Sequence, residues 1–166
     1  NRAHQMNVGA DSALGNTFLF LHGDSFLGKG SLEAVRESLS KGYVGGCLSQ
    51  RIDSGKMVYR LIEATGNVRA RCFKIFYGDQ GIFVKRDIFS RVGGFDKADL
   101  FDDVSFSKKL REAGKTVVLD EKVYSSPRRW EKQGIIKATL INWIITAGFV
   151  LGVAPDKLKK IYHDLR

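Results

Sequence analysis

Two motifs place carboxylates where they could act on a bound molecule, and the first is His22-Gly23-Asp24. It directly follows an apolar run, TFLFL at 17–21, that is typical of a buried strand. In open α/β sheets, ligands bind at the edge where such strands end. The Asp24 carboxylate offers the hard oxygen that Mg²⁺ or Mn²⁺ prefers, and Mn²⁺ tolerates the His22 imidazole. The motif is also typical of a turn in which Asp24 caps backbone amides, so a metal site and a structural turn both stay open.

The second acidic motif is the adjacent pair Asp102-Asp103. It opens a predicted helix in which apolar residues recur at Phe106, Leu110 and Ala113. A helix N-terminus stabilises negative charge, which explains the pair without any catalysis. The functional alternative is that one carboxylate takes a proton from an incoming hydroxyl while its neighbour orients nearby groups.

A third motif, Gly78-Asp79-Gln80-Gly81, leads into an apolar strand at 82–85. Glycine and aspartate are the residues expected in a tight turn, so the segment taken alone does not indicate a function.

The fourth motif, Arg128-Arg129-Trp130, precedes a long apolar segment. Two guanidinium groups beside an aromatic ring suit a phosphate or diphosphate through bidentate hydrogen bonds. Solvated arginines beside a buried tryptophan are the structural alternative.

Alternating helices and strands must position these motifs. We predict helices at 2–14, 31–39, within 51–77, before Gly93 and from Asp102 to Ala113, and strands at 17–21, 43–49, 82–85, 116–119 and 122–125. The chain is expected to end in an apolar helix over 130–152 and a short helix over 155–165. Because no repeat or linker interrupts this order, we predict one α/β domain over 1–166.

Composition narrows the class of protein further. The chain has 166 residues, of which 43% are hydrophobic and only 2 are Pro, which excludes disordered and collagenous proteins. Cys47 and Cys72 form no CxxC pair, and no signal peptide is visible, so a reducing, cytoplasmic compartment is expected. The net charge of +9 suits a solvated face, nucleic acid, anionic lipid or a phosphorylated substrate.

The apolar segment 135–154 is long enough to span a bilayer in principle. Lys137 and Asn142 lie within it, and a charge near the centre of a membrane helix is costly. We therefore expect a buried or interfacial helix. The neighbouring lysines Lys157, Lys159 and Lys160 make peripheral contact with the inner face of a membrane a further hypothesis.

In order, the motifs resemble those of a family-2 glycosyltransferase with the GT-A fold, and more narrowly the bacterial group described as radical-SAM- or selenodomain-associated. The match runs through RAHQMNVGA, FLFLHGDS, YGDQGIFVKRDIF, VGGFD, FDDVSFSKKLREAG, SSPRRWEKQG and LGVAPDKLKKIYH. The resemblance implies a Rossmann-like mixed sheet with flanking helices. It also implies transfer of a sugar from a nucleotide diphosphate sugar to an acceptor hydroxyl, usually with a divalent metal, Mn²⁺ or Mg²⁺.

The resemblance assigns roles to the motifs. His22-Gly23-Asp24 looks like the family's DxD-type motif, so Asp24 would be the metal ligand, with His22 beside it in place of the usual acidic residue. Asp103 matches the family's catalytic base and Asp102 its acidic partner, and a lone base implies inversion at the sugar carbon. The segment facing the acceptor would be Gly78, Asp79 and Gln80. The donor side would comprise Arg2, Asn7, His22, Arg128, Arg129 and Trp130.

The beginning of the chain departs from the family pattern. In GT-A enzymes, strands and helices that bind the nucleotide base and ribose come first, whereas Asn1 to Ala10 looks like the helix that follows them. We expect an N-terminally incomplete form of a larger enzyme.

Two alternatives to an enzyme are kept. One is a non-catalytic GT-A-like domain that binds a phosphorylated sugar or lipid. The other, ranked lower, is a basic nucleic-acid-binding domain suggested by the cations between Arg51 and Lys74, which lack the interleaved aromatics of RNA-binding motifs. We therefore expect a nucleotide-sugar donor, a hydroxyl acceptor and no nucleic-acid partner. A lipid-linked acceptor is a further hypothesis.

Overall fold

The computed structural model describes residues 1–97, 101–153, 157–158 and 160–162, with the backbone alone at 149 and 150. The helices are α1 Arg2–Ser12, α2 Ser31–Ser40, α3 Met57–Phe73, α4 Arg86–Arg91, α5 Asp102–Ala113, α6 Arg128–Gln133 and α7 Ile135–Val150. The strands are β1 Thr17–Phe20, β2 Ser25–Leu27, β3 Gly45–Ile52, β4 Ile82–Lys85 and β5 Thr116–Ser125, and a short 3₁₀ turn covers Gly78–Gln80.

The five strands form one mixed sheet in the order β1-β4-β3-β5-β2. Only β3 and β5 run parallel, and the other three pairings are antiparallel. The predicted α/β fold class with a mixed sheet is therefore confirmed.

Helices cover both faces of the sheet, as the alternation along β4 shows. Ile82 and Val84 lie in a cluster that includes Phe89 of α4 and Phe106 of α5, whereas Phe83 faces Val35 and Leu39 of α2 on the other side. Successive side chains of a strand point to opposite faces, so a run of apolar residues is needed to fill both layers. This two-sided core fixes α5, whose first turn carries the acidic pair.

The predicted elements differ from the structure at two points of the sheet. The two strands expected at 116–119 and 122–125 are one strand, β5, whose pairing with β3 shifts register between Cys47 and Ser49. Strand β2 was not predicted, because three residues are too few to show an alternating pattern.

The apolar helix expected over 130–152 is also corrected. The chain forms two helices there, α6 and α7, which are separated at Gly134. Gly134 has φ 86° and ψ 131°, a conformation outside the helical region that glycine adopts without steric cost. Of the short helix expected over 155–165, most residues lie outside the described part of the chain.

Helix α7 has 16 residues. Within the described residues, no helix combines the length and the apolar character needed to cross a membrane.

The close approach of β3 to β5 requires glycine at position 46. A Cβ atom there would lie 1.9 Å from the Val117 carbonyl oxygen. We expect Gly46→Ala to lower the free energy of unfolding by about 3 kcal/mol or more, because backbone atoms of two paired strands would have to separate. Urea unfolding measures this loss. The control is Gly55→Ala, where a Cβ would meet no atom within 4 Å and we expect a change within about 0.5 kcal/mol. Equal effects of the two substitutions would contradict the prediction.

Candidate active site

The acidic pair at the start of α5 is buried and is held by an arginine 100 residues earlier in the sequence. Asp102 and Asp103 are 2% and 8% exposed. The Arg2 guanidinium donates to both oxygens of Asp102, with Nε 3.1 Å from Oδ2 and Nη2 on Oδ1, and Nη2 also lies 3.2 Å from Oδ2 of Asp103. Asp102 therefore receives the bidentate fork of the arginine, and Asp103 receives only one of its nitrogens.

Asp103 is the carboxylate that faces open space in the site. Its Oδ2 accepts a hydrogen bond from the Gly78 backbone N–H at 2.9 Å, and its Oδ1 accepts one from Val104 N–H at 2.9 Å. Burial raises the pKa of Asp103, and the neighbouring charge of Asp102 raises it further, against the opposing effects of Arg2 and the Gly78 N–H. A buried carboxylate with a raised pKa beside a cavity is suited to accept a proton.

Gly78 brings the third motif against the first. A Cβ atom at position 78 would lie 2.7 Å from His22 Nε2 and 3.2 Å from Arg2 Nη1. His22 Nε2 is buried against Gly78 and has no hydrogen-bond partner among the described residues. Residues from four separate parts of the sequence thus meet at one point: Arg2, His22, Gly78 and Asp103.

The 78–80 turn is fixed from beneath by a polar network. Gln80 is fully buried, and its side-chain oxygen accepts from Arg69 at 2.8 Å and from the Tyr77 N–H at 3.1 Å. Asp79 accepts from Gln50 at 2.6 Å through Oδ2, whereas its buried Oδ1 has no partner. An unsatisfied buried carboxylate oxygen beside a cavity is a candidate acceptor for a ligand hydroxyl.

Helices α6 and α7 form the wall of the site that lies opposite the acidic pair. The exposed Arg129 donates to Asn142 and to the Tyr162 hydroxyl, both at 3.0 Å. Trp130 is 6% exposed, and its buried indole Nε1 has no hydrogen-bond partner. The Tyr77 hydroxyl bonds to Thr146 of α7, which ties this wall to the turn. The site therefore has a cation and an aromatic ring facing its carboxylates.

These residues enclose a cavity of about 250 Å³. Eight of the residues predicted from sequence line it: Arg2, His22, Asp24, Gly78, Asp79, Asp103, Arg129 and Trp130.

Four predicted site residues do not line this cavity. Asn7 forms hydrogen bonds of 2.9 and 3.0 Å with the Phe95 backbone, which join α1 to the loop after α4. Asp102 is occupied by Arg2, Gln80 supports the turn from beneath, and Arg128 is exposed. Asn7 and Gln80 thus have contacts that shape the site from outside it.

Sequence reasoning missed several residues that line the cavity: Ser25, Tyr77, Ser126, Asn142, Thr146 and Tyr162. The sequence could have indicated Asn142 and Thr146, because two polar residues four positions apart mark one face of an otherwise apolar helix as polar. No comparable pattern marks Tyr162.

Few side chains at this site could act as metal ligands. Among the described residues, no three His, Cys, Asp or Glu side chains form a metal-binding group. Mg²⁺ and Mn²⁺ in phosphate-binding sites need only one or two carboxylates, because substrate phosphates and water complete the coordination. The exposed Asp24 carboxylate and the unpartnered His22 Nε2 at the cavity fit that type of shared site.

The fold is glycosyltransferase-like. It is similar to a solved structure of the mannosyltransferase PcManGT from Pyrobaculum calidifontis in complex with GDP-Man and Mn²⁺, with a TM-score of 0.62 and 19% sequence identity. The likeness covers 98% of this chain and 48% of the neighbour's, so the chain spans about half the length of that protein. No family model matches the sequence, and no curated protein matches it.

The contact between Gly78 and His22 can be tested by adding a methyl group. We expect Gly78→Ala to leave the fold intact and to displace the imidazole, because the nearest atoms are ends of side chains. The ring resonances of His22 in a ¹⁵N–¹H NMR spectrum should shift, and those of His4 should not. Gly23→Ala is the control, since a Cβ there would meet nothing within 4 Å although it adjoins His22. Unchanged His22 resonances in Gly78→Ala would contradict the contact.

The raised pKa of Asp103 also predicts how stability depends on pH. The folded protein binds this proton more readily than the unfolded chain does, so stability falls as the pH rises between the two pKa values. Asp103→Asn cannot ionise. We expect its urea midpoint to exceed that of the wild type at pH 7, and the difference to shrink as the pH approaches about 4, the ordinary range of Asp.

The control is Asp87→Asn on α4, where the carboxylate is exposed and pairs with Arg91 at 3.7 Å. Its urea midpoint should stay near that of the wild type at every pH. A pH-independent difference between Asp103→Asn and the wild type would show that Asp103 is not responsible.

Proposed function

We propose that this chain carries the catalytic site of a glycosyltransferase that moves a sugar from a nucleotide diphosphate sugar to an acceptor hydroxyl. In finer terms, we propose an inverting, metal-dependent enzyme of family 2 with the GT-A fold. The observation that carries the proposal is the position of Asp103, a buried carboxylate with a raised pKa beside the cavity that Asp24 and Arg129 also line. The glycosyltransferase-like fold supports it.

In the proposed reaction, Asp103 is the general base. An acceptor hydroxyl in the cavity gives its proton to Asp103 as its oxygen attacks the anomeric carbon of the donor sugar. The bond from that carbon to the diphosphate breaks, and the electron pair leaves with the nucleotide diphosphate. A single displacement of this kind inverts the anomeric centre. Asp79 Oδ1, which has no protein partner, would accept a hydrogen bond from a second hydroxyl of the acceptor and orient it.

Arg2 and Gly78 support this role of Asp103. The Arg2 fork neutralises Asp102, so only one of the two adjacent carboxylates is left to accept a proton. The Gly78 N–H fixes Oδ2 of Asp103 in place. The base is therefore oriented before the acceptor arrives.

We place the donor diphosphate between Asp24 and His22 on one wall of the cavity and Arg129 on the opposite wall. Asp24, with His22 beside it, would hold Mn²⁺ or Mg²⁺. When bound, such an ion neutralises the charge that develops on the departing diphosphate. The Arg129 guanidinium offers a second positive charge to the same group, and the buried Trp130 ring forms part of the cavity wall.

Membership of the bacterial radical-SAM- or selenodomain-associated group, and a cytoplasmic location, are further parts of the proposal. The group membership rests on the sequence motifs. The cytoplasmic location rests on the absence of CxxC pairs.

A thermal-shift panel of nucleoside diphosphates, with and without Mn²⁺, tests the donor site. We expect one nucleotide to raise the melting temperature only when Mn²⁺ is present, because a ligand that binds the folded state alone stabilises it. Asp24→Ala should abolish this shift. Asp87→Ala, which removes an exposed carboxylate that does not line the cavity, should keep it. A shift that survives Asp24→Ala would remove Asp24 from the site.

Transfer itself is tested with Asp103→Asn and the donor found in that panel. We expect transfer to fall by at least about a hundredfold, the usual contribution of a general base, while the Mn²⁺-dependent thermal shift remains. Full activity in Asp103→Asn would remove Asp103 from the proposed role. Donor binding by the wild type without any transfer would instead favour the non-catalytic binding domain.

A further inference from the structure

Helix α7 is apolar on two opposite faces, and the described residues cover only one of them. Ala138, Ile141 and Ile145 are at most 5% exposed and pack against the body of the protein. On the other side, Ile136, Leu140, Trp143 and Ile144 are 75%, 49%, 51% and 52% exposed. These four residues, spaced at i, i+4, i+7 and i+8, form one stripe that we call the outer face of α7.

Two further apolar residues are exposed just after the end of the helix. Leu151 is 82% exposed and Val153 is 36% exposed. A contiguous apolar surface of this kind marks an interaction site, whereas single exposed apolar residues do not. A tryptophan within the stripe is typical of helices at the boundary between lipid and water, because its ring is apolar and its N–H is polar.

Exposed basic residues lie on α7 and on the segments that adjoin it in the chain. Lys132, Lys137, Lys157 and Lys160 are all exposed. The segment 128–162 contains seven Lys and Arg residues and two Asp and Glu residues. An apolar stripe bordered by cations complements a surface that is apolar below and negatively charged above, which is the surface of an anionic bilayer.

We propose that the outer face of α7 docks onto an anionic lipid bilayer, with the helix lying in the interface. Trp143, Leu140, Ile144 and Ile136 enter the boundary between headgroups and acyl chains, and the lysines contact lipid phosphates. With 16 residues, the helix is about 24 Å long, short of the roughly 30 Å hydrocarbon core, so it lies on the membrane.

Docking would place the cavity close to the membrane. Asn142, Ile145 and Thr146 line the cavity from the inner side of the same helix. A helix with its side chains is about 10–12 Å across, so the headgroups would lie about that distance from the cavity wall. This last step rests on the proposed function: it gives the acceptor hydroxyl a source at the membrane surface, as part of a lipid headgroup.

Vesicle flotation of the 166-residue chain tests the docking, with vesicles of phosphatidylcholine alone or mixed with phosphatidylserine. We expect the chain to float with the mixed vesicles, to remain at the bottom with phosphatidylcholine alone, and to be released by added salt, because the cationic contribution is screened. The tryptophan emission should shift to the blue on binding. Trp143→Phe should remove that shift, since Trp130 is already buried.

The variant Trp143→Asp/Ile144→Asp tests the outer face itself. Both positions are half-exposed, so the fold should persist, and binding to the mixed vesicles should fall by about tenfold or more. The control is Leu61→Asp on α3, which alters a residue that is 63% exposed on another helix. A melting temperature close to that of the wild type shows that each variant is folded.

Three results would overturn the proposal. The wild type stays at the bottom of the gradient with mixed vesicles, or Trp143→Asp/Ile144→Asp floats as well as the wild type does. In the third, the chain forms a dimer that this double variant dissociates, and no lipid binding is seen, which would assign the outer face to a second copy of the chain. Flotation requires neither donor nor metal, so a chain that floats but does not transfer sugar contradicts only the proposed function.

Discussion

Two neighbouring carboxylates are buried at the first turn of α5, and most features of the site follow from the need to hold them. Unpaired buried charges are costly, and adjacent like charges add repulsion. Three groups reduce this cost: the Arg2 fork on Asp102, the Gly78 N–H on Asp103, and the dipole at the start of α5. The arginine and the glycine must be brought to α5 from distant parts of the chain. Helix α1 is held in place by the clamp between Asn7 and the Phe95 backbone, and the turn at Gly78 is held by the buried Gln80. Helix α5 itself is fixed by the packing of Phe106 against the aromatic core, so the core also positions the acidic pair.

The same contacts make the two aspartates different from each other. Asp102 is enclosed by the arginine fork, which leaves it little capacity to interact with a ligand. Asp103 has a single arginine nitrogen at 3.2 Å, one backbone donor from the turn, and a position on the cavity wall. Burial raises its pKa, and the charge of Asp102 adds to that effect. A pair that looks symmetrical in sequence is thus divided into a carboxylate that orders the structure and a carboxylate that is free to exchange a proton. Environment sets the difference, as it does wherever two carboxylates of one site have separate tasks.

The sequence predicted the parts of this arrangement that depend on local chemistry. Short apolar patterns and glycines encode three of these parts: the strand at 82–85, the turn at 78–80, and the helix that begins at Asp102-Asp103 and ends before Gly114.

What could not be predicted depends on residues far apart in sequence. The antiparallel pairing of β1 with β4, the contact of Gly78 with His22 and the hydrogen bond between Tyr77 and Thr146 leave no mark in any single segment. The resemblance to a family gave the motifs their roles and placed Asn7 and Arg128 on the donor side, and neither residue lines the cavity. Those positions depend on where helix α6 starts and on the loop that Asn7 clamps.

The polar residues of α7 lie on one side of the helix, which affects both the cavity and the outer face. Asn142 counted against a membrane span because an amide is costly in lipid, and Thr146 lies one turn further along. In the fold both side chains point inward. Asn142 accepts a hydrogen bond from Arg129, and the Thr146 hydroxyl forms one with the Tyr77 hydroxyl. The polar residues are thereby removed from the outer face, which is left with Ile136, Leu140, Trp143 and Ile144. A helix of uniform apolar character would line the cavity poorly, and one with polar residues on both sides could not enter a lipid boundary. The segregation of polar groups to one side of α7 lets the helix build the wall of a polar site and present an apolar surface about 10 Å away.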